Sequence, residues 1–80
     1  MPTLYRPSAR ASWRITMYFG DHFPPHFHIV TKAGGEALIE IATLEILEGK
    51  VPNAVLDAAR KWARQNRAFL EAKWEELHQL

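Results

Sequence analysis

The sequence predicts an α+β domain: a small antiparallel sheet of three to four strands packed against one long C-terminal helix. Three observations predict it. Residues 13–19 alternate apolar and polar, as a half-buried strand does. Two further apolar runs flank the turn Ala33-Gly34-Gly35. From Pro52 to about His78 the apolar period changes from two to that of a helix.

With 80 residues the chain reads as a single domain spanning 1–80. A domain of this size buries roughly 60–70% of its unfolded surface, so modest stability is expected. Hydrophobic residues make up 48% and charged ones 24%, the balance of an ordinary globular domain. The absence of cysteine excludes disulfides, thiolate metal sites and a cysteine nucleophile, and suits a reducing compartment. Met1-Pro2-Thr3-Leu4-Tyr5-Arg6 has no apolar stretch of the signal-peptide kind, and no run approaches the roughly 20 apolar residues of a membrane span. A cytoplasmic protein with no membrane role is the expectation. Net charge is +1, which gives no global attraction to nucleic acid.

Residues 1–11 read as an arm, because Pro2 and Pro7 disfavour regular structure; Leu4 and Tyr5 can tuck onto the core. Residues 12–48 should form the sheet. In its first strand Trp13, Ile15, Met17 and Phe19 share one face, and Arg14, Thr16 and Tyr18 the other. Gly20-Asp21 ends that strand. The second strand runs from His26 to Lys32, with Phe27, Ile29 and Thr31 opposed to His26, His28 and Val30. The third runs from Glu36 to Ile41. Setting Lys32 opposite Glu36 pairs unlike charges, Ile29 with Ile39, Phe27 with Ile41, and His28 with Glu40. A slip by one residue would turn the apolar face to solvent. Residues 43–48 read as a fourth strand or an extended crossing, and Gly49-Lys50 as a turn.

The helix should span 52–78. Pro52 suits a first turn, Asn53 is an alternative cap, and Asp57 lies near the positive N-terminal end. Val55, Ala59, Trp62, Ala63, Phe69, Leu70, Trp74 and Leu77 form its apolar stripe. Asn66 and Lys73 interrupt the stripe. Lys73 can snorkel, and Asn66 at the sheet margin should bond a loop carbonyl.

The chemistry concentrates in Asp21-His22-Phe23-Pro24-Pro25-His26-Phe27-His28, which holds three of the four histidines. His26 and His28, at i and i+2, point to one side of a strand about 6–7 Å apart. With His22 as third ligand, and Asp21 or Glu40 as fourth, they form a candidate site for a divalent transition metal such as zinc. Alternatively the imidazoles act as acid and base on a phosphodiester, with Arg14, Tyr18 and Glu40 beside them. A purely structural role is the third possibility: prolines set the loop path and the histidines satisfy backbone carbonyls or Glu40. Arg60, Arg64 and Arg67 lie on one helix flank. Arg67 can pair with Glu71, while Arg60 and Arg64 repel, so the trio is a candidate contact for nucleic acid or a protein partner.

Met1-Pro2-Thr3, the strand Ile15-Thr16-Met17-Tyr18-Phe19, the Asp-His-x-Pro-Pro-His-x-His run at 21–28 and the tail 66–74 resemble the bacterial "domain of unknown function 4160" family (DUF4160) over nearly the whole chain. The resemblance implies a small stand-alone bacterial protein, often encoded beside another small domain in a toxin–antitoxin-like pair. It assigns no activity; its motif falls on His22, Pro24, Pro25, His26 and His28. The expected function is therefore that of a partner-binding component of a two-gene module. The partner would be the small protein of the neighbouring gene, and a homodimer is also compatible. A histidine-based, metal-dependent nuclease or hydrolase and a nucleic-acid-binding regulator are the alternatives.

Overall fold

A meander of five antiparallel strands, in chain order across the sheet, carries two C-terminal helices on its apolar face. The computed structural model describes residues 3–18, 20 and 22–78. The strands are β1 (Thr3–Tyr5), β2 (Trp13–Thr16), β3 (His26–Thr31), β4 (Glu36–Glu40) and β5 (Ile46–Lys50); the helices are α1 (Asn53–Gln65) and α2 (Arg67–His78). The α+β class stands. The strand number and the single helix are corrected to five strands and two helices.

The face pattern holds through the centre of the sheet. Ile15, Met17, Phe27, Ile29, Ala37 and Ile39 are fully buried and join Leu56, Ala59, Ala63, Leu70 and Trp74 in one core. Each large apolar side chain sequestered this way contributes about 1.5–3 kcal/mol. β2 ends at Thr16, three residues short of the expected strand, although Met17 remains in the core. Phe19 lies outside the described residues.

The β3–β4 register is displaced by two residues from the expected one. Ile29 faces Ala37, Phe27 faces Ile39, His28 faces Leu38 and His26 faces Glu40. A two-residue slip leaves every side chain on its own face, so the hydrophobic pattern cannot resist it. Turn chemistry decides instead. Gly34 takes the left-handed conformation (φ 98°), which makes Lys32-Ala33-Gly34 the loop. The Thr31 backbone N–H donates to the Gly35 carbonyl (2.9 Å), and the Gly35 N–H donates to Thr31 Oγ1 (2.8 Å). Lys32 leaves the β3–β4 pairing, its backbone N–H donating to the Ser12 carbonyl on the β2 side (2.8 Å), and Glu36 faces Lys50 of β5 instead.

The outer strands are the least legible: β1 falls in the expected arm, and β5 overlaps only part of the segment 43–48 that reads as a fourth strand or a crossing. The expected arm contributes β1, whose Tyr5 stacks on Trp62 with ring centres 4.5 Å apart. Three residues are too few for an alternation to be read. β5 is exposed along its length, so no alternation marks it either. Gly49 is not a turn but a strand residue at φ 85°, where a Cβ would collide with the Glu36 carbonyl oxygen. The actual turn is 41–44. There the Leu44 N–H donates to the Glu40 carbonyl (2.8 Å), and Leu44 is left-handed (φ 63°). That conformation costs a branched residue about 1–2 kcal/mol; burial of the Leu44 side chain in the core offsets it.

The helix breaks at Asn66 (φ −126°, ψ 24°). Its backbone N–H turns to the Ala63 carbonyl (3.1 Å), which would orphan the Trp62 carbonyl; its own Nδ2 donates there instead (2.8 Å). Asn66 thus caps the break rather than a loop, and its carbonyl accepts the Leu70 N–H to begin α2. The break also redirects the apolar stripe. Phe69 is exposed, whereas Leu56, absent from the expected stripe, is buried. Pro52 precedes α1 without a side-chain cap, and half-buried Lys73 pairs with Glu76 at 3.3 Å.

Candidate functional site

His26 opens β3 immediately after the two prolines, and strand geometry puts it on the same face as His28. Their ring centres are 5.2 Å apart, with 50° between the planes. Both residues are buried, at 5% and 8% exposure, on the face that a half-solvated sheet would leave polar.

Each ring is fixed by its Nδ1. His26 Nδ1 donates to the Pro24 carbonyl at 2.7 Å, so the proline loop orients the first histidine. His28 Nδ1 lies 2.7 Å from Glu36 Oε2, and an edge-on Tyr18 ring packs against it at 4.3 Å. The carboxylate partner of His28 is Glu36, not the expected Glu40. This follows from the shifted register, which carries Glu40 to the position opposite His26. Glu40 accepts a hydrogen bond from Thr43 Oγ1 (2.8 Å) and helps close the 41–44 turn. A carbonyl oxygen can only accept, so the His26 Nδ1 carries the proton in its bond to Pro24.

Trp74 joins this region from α2. Its ring centre lies 5.3 Å from His26 and 5.8 Å from Phe23, and His78 stacks on it at 3.8 Å. His78, unremarked in the sequence, is fixed there by a 2.7 Å bond from Nδ1 to the Trp74 carbonyl. Its i,i+4 spacing from Trp74 on a helix was the available signal.

The remaining candidates divide. Exposed His22 lines an open depression of about 500 Å³ with Phe23, Pro24, His26, Leu38, Leu47 and Glu48. Among the described residues, no group of three or more His, Asp or Glu side chains converges as a metal-ligand set. His26 and His28 are thus brought together without His22 as a third converging ligand, and Asp21 lies outside the described residues. Arg14 is half-buried opposite Val30 and lines a separate small cleft with Arg6, Trp13 and Lys32. Arg60 Nε donates to the Leu44 carbonyl (2.8 Å) and Arg67 Nε to the Ile41 carbonyl (3.1 Å). Two of the three flank arginines therefore tie the helices to the 41–44 turn, and Arg64 is exposed.

A second concavity of about 340 Å³ is lined by Pro25, Ile41, Ala42, Glu71, Trp74 and Glu75. Phe23, Pro25, Trp74, Glu75 and His78 line an adjoining one. Phe23 is 77% exposed although it touches Trp74. The hollow beside it is walled by Trp74 and Glu75 of α2, and no local pattern in the sequence marks it.

The profile of the family described as domain of unknown function (DUF4160) matches residues 12–75, and the chain belongs to that family. No curated protein and no solved structure shows a significant match. Among the described residues, no helix is long and apolar enough to cross a membrane.

Proposed function

We propose that this protein is a protein-binding component of a toxin–antitoxin-like two-gene module, and that it docks its partner on the surface around Phe23. The observation that carries this reading is Phe23 itself, 77% exposed on the rim of hollows walled by Pro25, Trp74 and Glu75. Isolated apolar side chains on a surface need no explanation, but contiguous ones beside a concavity mark interaction sites. Leu47, 43% exposed, continues the patch across the depression that also holds His22 and His26. Glu71 and Glu75 add a negative rim, which selects a partner segment combining apolar and basic side chains. Aromatic anchors of this kind carry a disproportionate share of binding energy, typically 2 kcal/mol or more.

The test is co-purification and calorimetry with the product of the adjacent gene. Phe23→Asp should weaken the complex by at least about 30-fold while leaving the folded spectrum intact. Unchanged affinity for that variant, or no complex with the parent protein, overturns the reading.

A further inference from the structure

Phe23 lies in the connection between β2 and β3; the opposite end of those strands carries a small basic cleft. Arg6 follows β1 directly, Arg14 lies in β2 and Lys32 follows β3 directly, so three neighbouring strands each bring one cation to it. Ala11 and Trp13 complete the lining. We infer that this cleft seats a backbone phosphate of a nucleic acid strand, bound without regard to base sequence.

The lining holds three cations and no acid. Along the cross-strand row of Arg14 the first acid is Glu36, beyond Val30, and Glu36 is engaged by His28 at 2.7 Å. Like charges gathered this way repel one another, and a bound anion relieves the repulsion. Elsewhere the fold uses its cations internally. Arg60 and Arg67 donate to carbonyls of the 41–44 turn, and Lys73 pairs with Glu76. Among the described residues the side chains of Arg6, Arg14 and Lys32 make no hydrogen bond or ion pair, so their donors are open to a ligand.

The walls are fixed by backbone bonds. The Lys32 N–H donates to the Ser12 carbonyl (2.8 Å), and the Ala11 N–H donates to the Ser8 carbonyl (3.1 Å). A cleft of about 40 Å³ takes the oxygens of a small anion but not a base. That is a contact that positions a strand without reading it. None of the exposed large apolar side chains, Phe23, Ile46, Leu47 and Phe69, lines the cleft, so it lacks the apolar anchor of a lipid-surface site. Positive charge also continues past the cleft. Arg10 is exposed on the same connection between β1 and β2, and residues 1–35 hold four cations against one acid, whereas residues 36–80 hold six against eight. A polymer of phosphates uses such an extension; a single free phosphate does not.

The experiment is fluorescence anisotropy of a labelled RNA single strand titrated with untagged protein over a range of sodium chloride concentrations. Three phosphate contacts should give a slope of log affinity against log salt of about −2. Arg14→Gln and Lys32→Gln should each flatten that slope by about 0.7, and the triple variant with Arg6→Gln should lose binding. Arg64→Gln removes the same charge from an exposed site outside the cleft and should leave the slope unchanged. Circular dichroism of each variant checks that the fold is kept. No binding at low salt, a slope indifferent to the cleft variants, or equal flattening by Arg64→Gln would overturn the inference. So would binding of inorganic phosphate or of phosphatidylglycerol vesicles without affinity for the strand. The readout needs no partner protein, so the docking reading stands or falls separately.

Discussion

Two clusters of rings show how one packing device serves two purposes. In the first, Tyr5 of β1 stacks on Trp62 of α1, with Trp13 of β2 6.0 Å from Tyr5 and Phe69 of α2 6.3 Å from Trp62. In the second, Trp74 gathers Phe23, His26 and His78 around it, and His28 extends the set to Tyr18. The distances are alike, and the burial of large flat surfaces stabilises both. The difference lies in the polar atoms. The first cluster contains only phenyl, phenol and indole rings; the second interleaves three imidazoles, each with its Nδ1 in a 2.7 Å contact. A structural cluster gains little from such rings, because each brings polar atoms that must be satisfied. In the second cluster, ring orientation is therefore set by directional hydrogen bonds as well as by packing.

The sharpest way to break the comparison is to remove each central indole. Trp74→Ala deletes an almost fully buried ring that touches both the core and the histidines. It should cost about 3–5 kcal/mol in urea unfolding, enough to unfold much of a domain this small. Trp62→Ala, in a partly buried ring, should cost roughly half as much and leave the histidine resonances unmoved. Equal losses would show that the clusters are not separable.

A smaller effect is expected at Asn66, which lies between the turns that deliver Trp62 to one cluster and Trp74 to the other. Asn66→Ala removes the donor to the Trp62 carbonyl and should cost about 1 kcal/mol, read as a lowered denaturation midpoint with unchanged slope. A gain in stability would mean that a continuous helix is the better solution and that the break serves something else. The smallest stability change should come from Phe23→Asp, within about 0.5 kcal/mol, because most of the ring is already in water. A large loss there would identify Phe23 as part of the core cluster rather than a docking residue.

How much was legible in the sequence depended on the range of the interaction. The pairing of His26 with His28 was visible because two residues along a strand share a face by backbone geometry alone. The partner of His28 was not. Glu36 and Glu40 both lie on that face, and only the 31–35 turn chooses between them. The acceptors of Arg60 and Arg67 are carbonyls of a turn 16 and 26 residues away in the chain, which no charge pattern reveals. Thr16 is a similar case, since the orphaning of its hydroxyl exists only once neighbouring elements are in place.

By itself the sequence determined which residues of the central strands face the core, that a sheet is covered by C-terminal helix, and where histidines concentrate. These follow from periods of two and 3.6 and need no knowledge of what lies across the fold. Tertiary structure alone decided the register, the first strand, the bounds of the last, the helix break and the anchoring of the imidazoles. A two-residue slip preserves every face, a three-residue strand has no period, and an asparagine breaks a helix only where packing rewards two directions over one.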